Sequence, residues 1–276
     1  MAVAARTKDT VALAPAQVLR VYGMRRSGNH ALIDWMLRNA PGGNGLFLNN
    51  CRPGRDPVQS SRGISVFQGG AEASVDGLKA KLAAAGPAPF TVVSYEDHMP
   101  DPKRQPLFAA AETCVIIYRS FLHWSASLLR KIQGNPGYGP LERARVMMNA
   151  MRTYQTMLDR VQDRDVVPLL YDDWMANEDY RAERLEKVGL PGRDLSRGKV
   201  QRYGGGSSFQ DKKTDVTQLA TDRRSAQMAD DLEYQLLLWT AARDLGFMER
   251  LADTFPQDAE RLSRLLDTAS AKVSLP

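Results

Sequence analysis

Residues 18–22 form a short β-rich run that stops at Gly23. From Asn29 onward, apolar residues recur at Leu32, Ile33, Trp35, Met36 and Leu37 with helical spacing. Between the two lies Gly23-Met24-Arg25-Arg26-Ser27-Gly28-Asn29-His30. This arrangement constrains the fold more than any other feature of the chain. A strand that turns through glycine into a helix leaves free backbone N–H groups and the positive end of the helix dipole at the turn, which makes an anion site. Gly28 permits close backbone approach. Ser27 and Asn29 can cap the helix or donate to phosphate, and Arg25 and Arg26 supply guanidinium forks that suit phosphate or sulfate oxygens.

The rest of the chain repeats the alternation. Strands are expected at residues 45–49, 90–95, 113–118 and 166–171. Helices are expected at about 75–85, 121–132, 141–162, 178–188, 222–245 and 258–269. Residues 51–63, rich in Arg, Pro, Gly and Ser, read as a mobile loop, and residues 201–215 read as a Gly/Ser/Lys-rich loop. This pattern predicts an α/β fold: a three-layer sandwich with a central parallel β-sheet covered on both faces. No internal repeat or clean linker is visible. One domain over residues 16–276 follows, preceded by a loose N-terminal tail at 1–15. Ligands in such sheets sit at the carboxyl ends of the strands, which singles out residues 23–30, Glu96 to His98, and Arg119.

Composition narrows the function classes. The chain has 276 residues, long enough for a sizeable core. A formal charge of +5 without a Lys/Arg run argues against nucleic acid and suits a small multiply anionic ligand. No apolar stretch is long enough to span a bilayer. Two cysteines, Cys51 and Cys114, stand at no metal-ligand spacing, and Cys114 opens a run that predicts a buried thiol. A reducing, cytoplasmic setting is expected.

Gly23 and Gly28 have the spacing of the nucleoside-triphosphate loop, but Asn29-His30 stands where that loop has Lys-[Ser/Thr]. The lysine for the outer phosphates and the hydroxyl for magnesium are missing, so the loop is P-loop-like without requiring a metal. Further along, Arg119 follows directly on a buried strand and Ser127 lies about two turns into the next helix. The two can converge on one phosphate from different sides.

Together these elements resemble the donor-binding elements of sulfotransferases that use 3′-phosphoadenylyl sulfate. Arg26-Ser27-Gly28-Asn29-His30 is similar to that family's [Lys/Arg]-Ser-Gly-Thr-Thr loop, with Asn29 and His30 in place of the two threonines. The resemblance implies that this loop holds the 5′-phosphosulfate and that Arg119 with Ser127 holds the 3′-phosphate. Leu170-Tyr171-Asp172-Asp173-Trp174 resembles the family's Tyr-Glu-Asp-Leu segment. Ser208-Phe209, followed by Lys212 and Lys213, resembles the loop that closes over the adenine, although the usual Arg-Lys-Gly is absent there. The implied reaction is metal-independent sulfuryl transfer to a hydroxyl or amine of a small-molecule or carbohydrate acceptor.

Two residues compete for the role of base. His98 precedes Met99-Pro100, similar to the His-Leu-Pro of soluble sulfotransferases. Glu96 lies closer to the strand end, and carbohydrate sulfotransferases commonly use glutamate. Arg26 would stabilise the bridging oxygen. His30 can contact the sulfate or cap the helix, and His123 reads as a packing histidine. Trp124, Trp174, Trp239 and the methionines of residues 147–157 read as core. The arginines between Arg52 and Arg62 can present cations to an acidic or sugar acceptor, or merely decorate a surface loop. Two other classes compete with the enzyme reading: a P-loop nucleotide kinase-like phosphotransferase and a non-catalytic nucleotide-binding module.

Overall fold

A computed structural model describes residues 13–100, 109, 111–198 and 223–272 of the chain, with side chains as far as 267. Most of the expected 1–15 tail and all of the 201–215 loop, including Ser208, Phe209, Lys212 and Lys213, lie outside the described residues.

The strands are β1 (Gln17–Gly23), β2 (Gly45–Asn49), β3 (Gly63–Gln68), β4 (Ala71–Ala73), β5 (Phe90–Glu96), β6 (Glu112–Tyr118) and β7 (Val166–Leu170). The helices are α1 (Asn29–Arg38), α2 (Pro57–Ser60), α3 (Leu78–Ala85), α4 (Phe121–Gln133), α5 (Pro140–Arg160), α6 (Tyr171–Ala176), α7 (Glu178–Lys187), α8 (Arg224–Gln227), α9 (Leu232–Arg243), α10 (Leu245–Thr254) and α11 (Pro256–Lys272). The strands form one seven-stranded sheet in the order β4-β3-β2-β5-β1-β6-β7. Its parallel core is β2, β5, β1, β6 and β7.

The sheet is mostly, not wholly, parallel. β3 and β4 add an antiparallel edge, where the sequence pattern predicts no strand. β3 buries Val66 and Phe67 in the two opposite cores and β4 is largely exposed, so neither shows a clean alternation. The expected helix at 222–245 is broken: Asp231 and Asp244 accept N–H bonds from Tyr234 and Phe247 and so cap the starts of α9 and α10. Tyr171 was read as the end of a strand, yet it opens α6.

The period of two along the strands sorts their side chains into two cores. Leu19, Val21, Val92, Val115 and Ile117 face α1, α6 and α7, with Trp35 and Trp174 at the centre. Val18, Tyr22, Val93, Tyr95 and Ile116 face α4, α5 and α9–α11. On that second side Phe121, Trp124, Tyr154 and Phe247 form an aromatic cluster, with Trp124 and Tyr154 stacked at 4.6 Å. Met147, Met151 and Met157 are buried as expected, but Trp239 lies on the surface beneath the Arg243 guanidinium. Cys51 is buried and Cys114 only partly so; both are free thiols, pushed up to about 12 chiefly by burial.

β1 sits between β5 and β6, and the helices that follow β1 and β6 lie on opposite faces of the sheet. The carboxyl ends of β1 and β6 therefore open a crevice at the point where the chain switches direction.

Candidate functional site

The loop between β1 and α1 is held from three sides. Arg26 adopts φ 74° and Gly28 φ 91°. A Cβ added at Gly28 would fall inside the Tyr171 ring, so this position is closed to other residues by space as well as by backbone. Asn29 Nδ2 donates to the Met24 carbonyl at 3.2 Å, which turns this side chain back into the loop. Asp97, just beyond β5, accepts the Arg25 N–H at 2.9 Å, pairs with the Arg25 guanidinium, and donates its own N–H to the Gly23 carbonyl at 3.0 Å. Trp124 Nε1 donates to the Arg25 carbonyl at 2.9 Å from the opposite face. Arg25 is thus engaged in bracing the loop. Asp97, with φ 58°, is a brace that sequence reading missed.

Three guanidiniums meet in the crevice. Ser127, fully buried on α4, accepts from Arg26 Nε at 3.4 Å and from Arg224 Nη1 at 2.8 Å. Arg119, 1% exposed, lies over the Tyr171 ring at 4.8 Å and within 3.5 Å of the Asp172 carboxylate. Its backbone carbonyl accepts from Tyr154 Oη at 2.6 Å. Burial, and then the Arg119 charge, lower the pKa of Arg26. Burial, Arg119 and Arg26 bring Arg224 down to about 9, against the opposing pull of Tyr171. Such a cluster disfavours its own charge until an anion enters. The Ser27 hydroxyl is buried with no hydrogen-bond partner among the described residues, at the N-terminus of α1. Donors and charge here fit an anion carrying more than one phosphate or sulfate group.

Arg224 was not singled out from the sequence. It stands 97 residues from Ser127 in no recognisable spacing, and the only local sign was the doublet Arg223-Arg224.

The expected site residues divide as follows. Ser127, which the spacing pairs with Arg119, accepts instead from Arg26 and Arg224, and Arg119 reaches that pair through its charge. Tyr171 covers Gly28 and Arg119. Asn29 and Arg25 brace the loop. His30 caps nothing: α1 has Gly28 as its N-cap, with no side-chain cap bond. Instead His30 shares a hydrogen bond with the Asn49 side chain and lies in the fields of Glu96 and Arg26, and burial lowers its pKa. Glu96 ends β5 in register with Gly23 of β1 and accepts from Asn50 Nδ2 at 3.2 Å. It also lies in the field of Arg26. His98, two residues on, is exposed and lines a separate cleft with Arg52, Arg55 and Arg62. His123 has a buried Nδ1 beside the charges of Arg119 and Asp172.

No protein-family model and no curated protein matches this chain. Among solved structures it is similar to the sulfotransferase domain from the Synechococcus PCC 7002 olefin synthase, with 12% identity and a TM-score of 0.44, over 82% of this chain and 99% of that one. A likeness so remote assigns neither substrate nor activity. No described helix is long and apolar enough to cross a membrane.

Proposed function

We propose that this chain is a sulfotransferase that takes a sulfuryl group from 3′-phosphoadenylyl sulfate and passes it to a hydroxyl of an acceptor. One observation carries the reading: Arg26 and Arg224 meet on Ser127 within the field of Arg119, beside the N-terminus of α1, with Glu96 at the next strand end. The donor has two anionic ends, and the crevice offers cations for both. Arg119, Arg224 and Ser127 would hold the 3′-phosphate. Arg26, Ser27 and the first N–H groups of α1 would hold the 5′-phosphosulfate.

In the transfer, the acceptor oxygen forms a bond to sulfur while the bond from sulfur to the bridging phosphate oxygen breaks. Glu96 takes the acceptor proton, and Arg26 offsets the charge that grows on the bridging oxygen. The products are the sulfated acceptor and adenosine 3′,5′-bisphosphate. Glu96 is favoured over His98 because it lies in the fields of Arg26 and His30. His30, kept neutral by its burial, can hydrogen-bond the sulfate without adding charge. The two free thiols suit a reducing, cytoplasmic setting.

The test is calorimetry with adenosine 3′,5′-bisphosphate and with ATP, each with and without magnesium. Metal-independent binding of the bisphosphate, weakened about 100-fold or more in a folded Arg119→Ala variant, is expected; two lost charge-assisted bonds suffice for that. Preference for magnesium-ATP would point to a phosphotransferase. Bisphosphate binding without transfer to any of a broad acceptor set, unchanged by Glu96→Ala, would point to a nucleotide-binding module.

A further inference from the structure

Residues 50–62 read from sequence as loop, but they fold into a tethered wall. The N–H groups of Asn50 and Cys51 donate to the Oγ and carbonyl of Ser94 on β5, at 2.8 and 2.7 Å. Cys51 is buried with its Sγ against the Leu48 and Pro57 carbonyls. Asp56 caps α2, accepting from the N–H groups of Val58 and Gln59. The Arg62 N–H closes the segment onto the Asn49 carbonyl at 2.8 Å.

Between this wall and His98 lies a cleft of about 750 Å³. Arg52, Arg55 and Arg62 line it, and all three are exposed. None of the three makes an ion pair among the described residues. The one carboxylate in the lining, Asp56, uses its Oδ1 to cap the start of α2. The remaining lining is mainly Asn, Gln and Ser, with no aromatic ring. That lining is unlike the apolar walls that hold most drug-sized ligands. Its lining reaches the proposed base through one residue: Asn50 lines the cleft and donates to Glu96 Oε2 at 3.2 Å.

Resting on the sulfotransferase reading, we infer that the cleft is the acceptor subsite and that the acceptor is itself acidic. It bears a carboxylate, sulfate or phosphate group that lies among Arg52, Arg55 and Arg62 while its hydroxyl reaches Glu96. Guanidinium forks suit such groups, and the polar floor suits a hydroxyl-rich molecule.

The experiment uses the full chain and a matched pair of probes, p-nitrophenyl glucuronide and p-nitrophenyl glucoside, with radiolabelled donor. Each partly solvated charge pair is worth roughly two- to fivefold. The wild type is therefore expected to prefer the glucuronide about 10- to 100-fold in kcat/KM. An Arg52→Gln/Arg55→Gln/Arg62→Gln variant is expected to bring that preference within about threefold, mostly through KM, and added salt to act in the same direction. If neither probe is turned over, calorimetry of the probes on the bisphosphate-loaded protein reads the same preference. Equal handling of both probes by the wild type, or a preference that survives the triple substitution, overturns the inference. Adenosine 3′,5′-bisphosphate binding is measured first on both proteins. Equal affinity confines any change to the acceptor side. Absence of binding in the wild type removes the donor reading and this inference with it.

Discussion

Replacing Arg224 by methionine is expected to make the free protein more stable while weakening its grip on a bisphosphate. Arg224 is buried, and its pKa is pushed down from the ordinary arginine range to about 9 through burial and the charges of Arg119 and Arg26. That displacement corresponds to about 5 kcal/mol of disfavoured charge. Salt screens part of it, and methionine forfeits the hydrogen bond to Ser127, worth about 1 kcal/mol. A net gain of about 1–3 kcal/mol remains, which raises Tm by roughly 2–5 °C in a chain of this size. The pH dependence has a definite sign. From about 9 up to the ordinary arginine range the folded wild type binds fewer protons than the unfolded chain, so its stability rises with pH across that window. The penalty is complete below pH 9, and the advantage of the variant should narrow at pH 10. Scanning calorimetry at pH 7 and 10 measures the stability difference. Titration with adenosine 3′,5′-bisphosphate should show about 10- to 100-fold weaker binding, the loss of one charge-assisted contact. A free variant that melts lower than wild type, or one that binds the nucleotide as well, would refute the idea that the cluster holds unfavourable charge in readiness for an anion.

Glu96→Gln is expected to lower kcat by about 10²–10⁴-fold with little effect on bisphosphate binding, and His98→Gln to leave kcat within a fewfold; steady-state rates on any turned-over acceptor decide between the two bases. Gly28→Ala is expected to cost about 2–4 kcal/mol, because φ 91° and the Tyr171 ring both oppose a Cβ, and chemical denaturation measures it. His30 has a folded pKa below 6.5, so the unfolded chain takes up its proton first and stability falls as pH drops below about 6.5. His30→Gln should flatten that slope in Tm measured between pH 7.5 and 5.

The parallel core was legible because its strands are short, continuous apolar runs followed directly by helical periodicity. In β1 and β6 nearly every residue is buried or partly so, and the turns after them carry Gly28 and Arg119. What stayed hidden depends on pairing rather than pattern. β3 is buried on both faces at Val66 and Phe67, and β4 is largely exposed, so neither alternates cleanly. Apolar spacing ran on across Asp231 and Asp244, although each aspartate is a helix cap. Of the site, Arg26, Arg119 and Ser127 were readable from loop and spacing, while Arg224 and Asp97 join it from afar, through a 97-residue contact and a neighbouring strand end. Arg20 shows the same limit. Within the buried run of β1 it is neutralised by Glu112 at 2.6 Å and hydrogen-bonds Tyr95 at 2.8 Å, partners that only the sheet brings near.

Asp97 ties the ends of β1 and β5 together by gripping both the backbone and the side chain of Arg25 and the carbonyl of Gly23. The cradle for the donor and the strand that ends in Glu96 are therefore one mechanical piece. Heritable change is channelled by that latch. Substitutions near Asp97 disturb both halves of the site together, whereas the exposed side chains at 52, 55 and 62 can be exchanged without loosening it.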